Sequence, residues 1–149
     1  MARKQFAAQP QERQVATIMM RLSESDRERL NAPAIAAWED ICNGATDPEL
    51  GRTVLFRLHY VFLAAHNYEE EQYLRMVASY ARDQMRDYIY RVRLGVEHVF
   101  SEYDRQVIGE VLAHAACNDE YLTRKAALGY YEQVANKLLR DPIFASRLS

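Results

Sequence analysis

The stretch YEEEQYLRMVASYARDQMRDYIYRVRL, residues 68–94, decides the fold that this sequence predicts. It contains neither Gly nor Pro, and its apolar residues recur at steps of three and four, which is the period of one helix face. That face comprises Leu74, Val77, Ala78, Ala81, Met85, Tyr88, Ile89 and Val92. The stretch therefore predicts one long amphipathic helix whose apolar side packs on a core.

A second apolar helix is predicted directly before it, over residues 48–66. Thr46-Asp47-Pro48-Glu49 supplies a capping side chain, a proline for the first turn and an acid near the positive helix end. Apolar side chains occupy two sides of this segment, which favours burial in the middle of a bundle, with partner binding by one side as the alternative. Because the connection at Asn67 is short, we expect the helices at 48–66 and 68–94 to pack antiparallel as a helical hairpin.

The segments before this pair predict shorter elements. Residues 1–10 read as a loose N-terminal arm, and residues 13–22 follow the spacing of a short amphipathic helix. A ribbon strand, as at the start of ribbon-helix-helix DNA-binding proteins, is the competing interpretation of that second segment. Ser23-Glu-Ser-Asp26 is typical of a capping box. We expect a helix over 24–30, a bend at Asn31-Ala-Pro33, and another helix over 33–42.

The segments after the pair predict two more helices. Gly95 begins a break, and Ser101-Glu-Tyr-Asp104 is typical of a helix start. A final helix is predicted from about residue 119 to 139, ending at Asp141-Pro142. The 149 residues thus predict one all-α domain, a helical bundle of six or seven helices around the central antiparallel pair.

Composition bounds the functional class only loosely. The net charge is −2, so no overall field draws the chain to nucleic acid or to an anionic membrane. No apolar run approaches the length of a membrane span, and Arg3 and Lys4 are not followed by the apolar segment of a signal peptide. Cys42 and Cys117 have no metal-binding or redox spacing, so we expect reduced thiols in the cytoplasm.

Motifs for catalysis or metal binding are absent from the sequence. The chain has no phosphate-binding glycine loop and no Glu-x-x-His of the kind that carboxylate metal bundles require. The four histidines, His59, His66, His98 and His114, are interpreted as surface or boundary residues. We therefore expect no cofactor, no metal site and no enzymatic activity, with a metal-binding bundle or an enzyme as the least favoured alternative.

The most distinctive feature is a row of arginines on the long helix, here called the arginine ladder: Arg75, Arg82, Arg86 and Arg93. At 100° per residue these positions fall within about 40° of arc beside the apolar face, with Tyr90 at its border. Arginine and tyrosine are enriched at binding hot spots, so the ladder and Tyr90 are the predicted partner-binding residues. The alternative is structural, with the arginines paired to acids of a neighbouring helix.

These features favour a non-enzymatic protein that binds a macromolecule. In its small size, its helical pattern and its lack of a catalytic motif, the chain resembles many proteins of bacterial phages and plasmids, although no motif carries that likeness. The resemblance implies a small interaction or inhibitor protein that modulates another macromolecule. We expect a protein partner, bound through the arginine- and tyrosine-rich face. A nucleic-acid-binding regulator using the same ladder is the first alternative. The sequence is also compatible with a homodimer. No membrane partner is expected.

Overall fold

The computed structural model describes residues 20–119 and 122–145. Over these residues the chain is all-α, with six α-helices, one 3₁₀ turn and no strand, which confirms the predicted class. The helices are α1 (Glu24–Cys42), α2 (Pro48–Ala64), α3 (Glu71–Arg93), α4 (Glu102–Asn118), α5 (Arg124–Leu139) and α6 (Pro142–Ala145), and the 3₁₀ turn is Ala65–Asn67.

The central pair is α2 and α3, as predicted. Gly51 near the start of α2 packs against Ile89 near the end of α3, whereas His59, two turns further along α2, contacts Arg82, two turns earlier in α3. The two helices therefore run antiparallel. A Cβ atom at position 51 would lie 2.6 Å from Cγ1 of Ile89, so glycine permits the close approach of the helices at this point.

The buried apolar side chains form one cluster around this pair. The predicted apolar face of α3 is confirmed, except that Val77 and Val92 are only half-buried. Burial of this face supplies the main stabilisation of α3, since most helical stability in proteins comes from the packing of an amphipathic face. The side chains with less than 2% exposure include Val54, Leu55 and Leu58 of α2, Leu74, Met85 and Ile89 of α3, Ile108 and Val111 of α4, and Val134 of α5.

Most of the predicted helix starts are confirmed by their caps. Ser23 and Asp26 form a capping box, in which the Ser23 hydroxyl accepts from the Asp26 backbone at 3.1 Å. Asp47 accepts from the backbone of Glu49 at 2.9 Å, and Ser101 caps α4 in the same way. Gly95, which follows α3, has φ of 71°, a conformation that glycine adopts without strain.

The prediction of two helices separated by a bend at Pro33 is wrong, because α1 continues through that residue. Pro33 removes one backbone donor, but tertiary contacts hold the segment helical. Asn31 is buried, and its side chain donates to the Arg27 carbonyl at 2.8 Å while also bonding to side chains of other segments. Packing of Trp38 and Ile41 into the core adds to this stabilisation.

Two further boundaries differ from the prediction, and one contact explains both. The backbone of Leu22 donates to the Leu122 carbonyl at 3.0 Å, and that of Arg124 donates to Met20 at 2.9 Å. This pairing holds residues 20–22 outside any helix and delays α5 until Arg124, where Thr123 supplies its cap. The predicted helix over 13–22 is therefore wrong for residues 20–22. Residues 13–19 and the predicted arm at 1–10 lie outside the described residues.

Candidate binding surfaces

Arg86 of the ladder forms an ion pair within the fold. Its guanidinium bonds to both carboxylate oxygens of Asp141, which precedes α6, with Nε–Oδ2 at 2.8 Å and Nη2–Oδ1 at 3.1 Å. Burial opposes ionisation of Asp141, but bonds from Arg86 and from the Ile143 backbone lower the pKa of the carboxyl below its ordinary value. The pair fastens the C-terminal segment to α3.

Arg93 acts on the same segment. Its guanidinium donates to the carbonyl of Ile143 and, at 3.4 Å, to that of Phe144, so it satisfies backbone acceptors in the short helix α6. The Arg52 guanidinium of α2 lies 4.5 Å from the centre of the Phe144 ring. Arg86 and Arg93 together therefore position α6 against the central pair.

Arg82 contacts two side chains of α2. Its guanidinium lies 4.4 Å from the centre of the Phe62 ring and donates from Nη1 to Nδ1 of His59 at 3.0 Å. His59 is only 2% exposed, so its interpretation as a surface or boundary residue is wrong. Burial, with the positive charges of Arg82 and Lys137, lowers the pKa of His59 to about 4. The imidazole is consequently neutral and acts as an acceptor for Arg82.

The remaining predicted residues, Arg75 and Tyr90, are exposed. Arg75 pairs with Glu71 at 3.3 Å on the helix surface, and the Tyr90 side chain is 52% exposed. The five predicted residues therefore do not present one free row of guanidinium groups, since Arg82, Arg86 and Arg93 have partners within the fold. Their assignment as partner-binding residues stays a prediction, and the internal contacts favour the structural alternative for those three.

The opposite side of α3 carries an exposed surface that the sequence reasoning missed, here called the tyrosine face: Tyr73, Met76 and Tyr80 of α3 with Tyr103 of α4. The side chains of Met76 and Tyr103 are each 63% exposed, and that of Tyr73 is 46% exposed. The rings of Tyr80 and Tyr103 meet edge to face at 5.7 Å, which fixes their orientation. The signal in the sequence was the spacing of Tyr73, Met76 and Tyr80, which recur at steps of three and four.

Carboxylates border the tyrosine face. The Tyr80 hydroxyl donates to Asp104 at 2.6 Å, and the Tyr73 hydroxyl donates to Glu110 at 3.4 Å. The bond to Asp104 raises the pKa of Tyr80, and the charge of Glu110 raises that of Tyr73. Beside them lies a hollow of about 290 Å³ that Glu70 and Glu110 border. The face therefore combines aromatic contact area with negative charge.

A buried polar cluster ties three segments of the fold together. Arg57 of α2 pairs with Asp119, which follows α4, and donates to Asn31 of α1 at 2.7 Å. The guanidinium lies 4.4 Å from the centre of the Tyr60 ring. Burial raises the pKa of Asp119, and the charge and hydrogen bond of Arg57 oppose that rise. Such a cluster orders the packing of α1, α2 and α4, and no sequence pattern had marked Asp119 as one of its members.

Metal clusters and membrane spans are absent from the part of the chain that the structure describes. Residues 20–119 and 122–145 contain no group of three or more His, Cys, Asp or Glu placed to hold a metal ion. No helix among them is long and apolar enough to cross a membrane. Comparison of the chain with protein-family models, with curated proteins and with solved structures found no match.

Proposed function

We propose that this chain is a non-enzymatic protein that binds another protein through the tyrosine face. The supporting observation is a patch with three tyrosines and a methionine on rigid helices, all at least 37% exposed. Tyrosine and methionine are enriched in protein interfaces, because each supplies a large contact area with adaptable or partly polar edges. Single exposed apolar residues are ordinary, but a contiguous group is typical of an interaction site.

The partner we propose presents lysine or arginine to this face. Asp104, Glu110 and Glu70 border the patch, so a basic protein surface complements its charge and a nucleic-acid backbone does not. Guanidinium and ammonium groups also bind favourably over tyrosine rings. The ladder is a weaker basis for partner binding, because pairing to an anionic partner would compete with the contacts of Arg82, Arg86 and Arg93 inside the fold.

From its size and helical pattern, we further propose that the protein acts in the cytoplasm, belongs with the inhibitor proteins of phages and plasmids, and modulates the complex that it binds. Homodimerisation is an alternative use of the same face. Two copies would bring like charges together at this face, which disfavours that use.

The experiment is a comparison of partner capture by matched surface variants. Met76→Asp and Tyr103→Glu alter exposed side chains of the tyrosine face, and Leu128→Asp alters an equally exposed side chain on α5 as the control. Captured proteins are identified by mass spectrometry after nuclease treatment, and binding is then measured with the purified partner. We expect both face variants, but not the control, to lose capture. Equal capture by all variants, or capture that nuclease abolishes, would refute the proposal.

A further inference from the structure

A groove between α1, α2 and α5 lies apart from the tyrosine face. It consists of two adjoining hollows of about 350 and 370 Å³, which share Arg29, Leu30 and Tyr131 as lining residues. Each hollow alone has the volume of a small-molecule site. The two adjoining hollows therefore offer space for a ligand with two chemically different ends.

The walls of the groove are mostly apolar. In the first hollow, the rings of Phe56 and Tyr131 are tilted by 44° with their centroids 5.0 Å apart, and Phe144 of α6 also lines the hollow. The second hollow adds Leu22 and Leu128, of which Leu128 is 62% exposed at the rim. An alkyl chain or a flat ring lying here would remove this surface from water, which is favourable.

The first hollow also gathers guanidinium donors, although Asp119 offsets the charge of Arg57 and the net positive charge comes from Arg29. Arg29, Arg52 and Arg57 line it, whereas its one lining carboxylate, Glu49, is held by Arg52 at 3.0 Å through both oxygens. Arg57 is 2% exposed, and its buried Nη1 has no hydrogen-bond acceptor among the described residues. A buried donor without an acceptor costs free energy, which an anionic ligand atom at this end of the groove would recover.

We propose that the groove binds a small amphipathic anion, with its anionic group at the three arginines and its apolar body along the second hollow. Guanidinium groups bind carboxylates and phosphates through paired hydrogen bonds, so both head groups fit this chemistry. The proposal is independent of the tyrosine face, because the two surfaces share no residue.

The test uses ligands that share one alkyl chain and differ in head group. Decanoate, decyl phosphate, decanol and decyltrimethylammonium are titrated into the full chain below their micelle-forming concentrations, with binding followed by calorimetry. Both anions should bind, and the tighter of the two identifies the preferred head group. Decanol should bind about tenfold more weakly or less, the size expected for loss of a charge-assisted hydrogen bond. Equal binding of decanol or of the ammonium compound would overturn the proposal.

Two variants test whether decanoate binds in the groove. Arg29→Glu reverses a charge at an exposed position, and Leu128→Asp puts a carboxylate at the apolar rim, so neither change disturbs the core. Each should weaken decanoate binding by about tenfold or more. Met76→Asp, equally exposed on the tyrosine face, is the control and should bind as the unaltered protein does. Decanoate binding that both groove variants retain would overturn the assignment.

Discussion

Acidification should destabilise this fold through His59, and the structure sets the size of the effect. Burial and the neighbouring charges of Arg82 and Lys137 lower the pKa of His59 from 6.5 to about 4 in the folded chain, with Asp141 opposing. Between pH 6.5 and about pH 4, His59 is protonated in the unfolded chain and neutral in the folded chain. The free energy of unfolding therefore falls as the pH decreases through that window. The full shift corresponds to roughly 3 kcal/mol, of which about 2 kcal/mol is lost by about pH 5.

The assay is urea denaturation followed by far-UV circular dichroism, at a series of values from about pH 7.5 to about pH 5. His59→Gln removes the titrating ring and should remove about 2 kcal/mol of the pH dependence. His66→Gln removes an exposed histidine and is the matched control. Burial also lowers the pKa of His98, so some dependence should persist in the His59 variant. An equal loss of stability in the unaltered protein and in His59→Gln would refute the reasoning. NMR titration of the His59 ring gives the same test without a substitution.

Three further predictions concern stability and use the same denaturation assay. Asp119→Ala should destabilise the fold by about 3–5 kcal/mol, because it leaves the buried Arg57 charge unpaired. The double variant Arg57→Met with Asp119→Leu should recover most of that loss. If the double variant lost as much stability as Arg57→Met and Asp119→Leu lose separately, added together, the pairing would be contradicted. Arg86→Gln should cost only about 1 kcal/mol, since its pair with Asp141 is partly exposed, and a loss matching that of Asp119→Ala would contradict this. Leu58→Ala should lower the free energy of unfolding by about 2–5 kcal/mol, and a loss below about 0.5 kcal/mol would place Leu58 outside the core.

The sequence predicted the elements whose signals are local. The apolar period of α3 and the caps at Ser23, Asp47 and Ser101 act within a few residues, so spacing alone located them. The failures arise where distant segments decide the local conformation. The helix through Pro33 and the delayed start of α5 depend on contacts with residues far along the chain, which no local pattern contains.

The candidate surfaces were less predictable for the same reason. The spacing of Arg82, Arg86 and Arg93 located a row on one helix, but their exposure depends on α2 and α6, which supply Phe62, Asp141 and the α6 carbonyls. The tyrosine face requires α4 to bring Tyr103 beside Tyr80. A helical wheel shows which residues share a side of a helix, but not which neighbour covers that side.

Photo-crosslinking at Tyr103 tests the proposed binding surface most directly. A benzoylphenylalanine replaces Tyr103 in one sample and, as the control, Leu128 in another, since both positions are more than 60% exposed. With the partner identified by capture, we expect a crosslink from position 103 onto a segment rich in lysine or arginine, and none from position 128. A crosslink from 128 alone, or from neither position while the complex forms, would contradict binding through the tyrosine face.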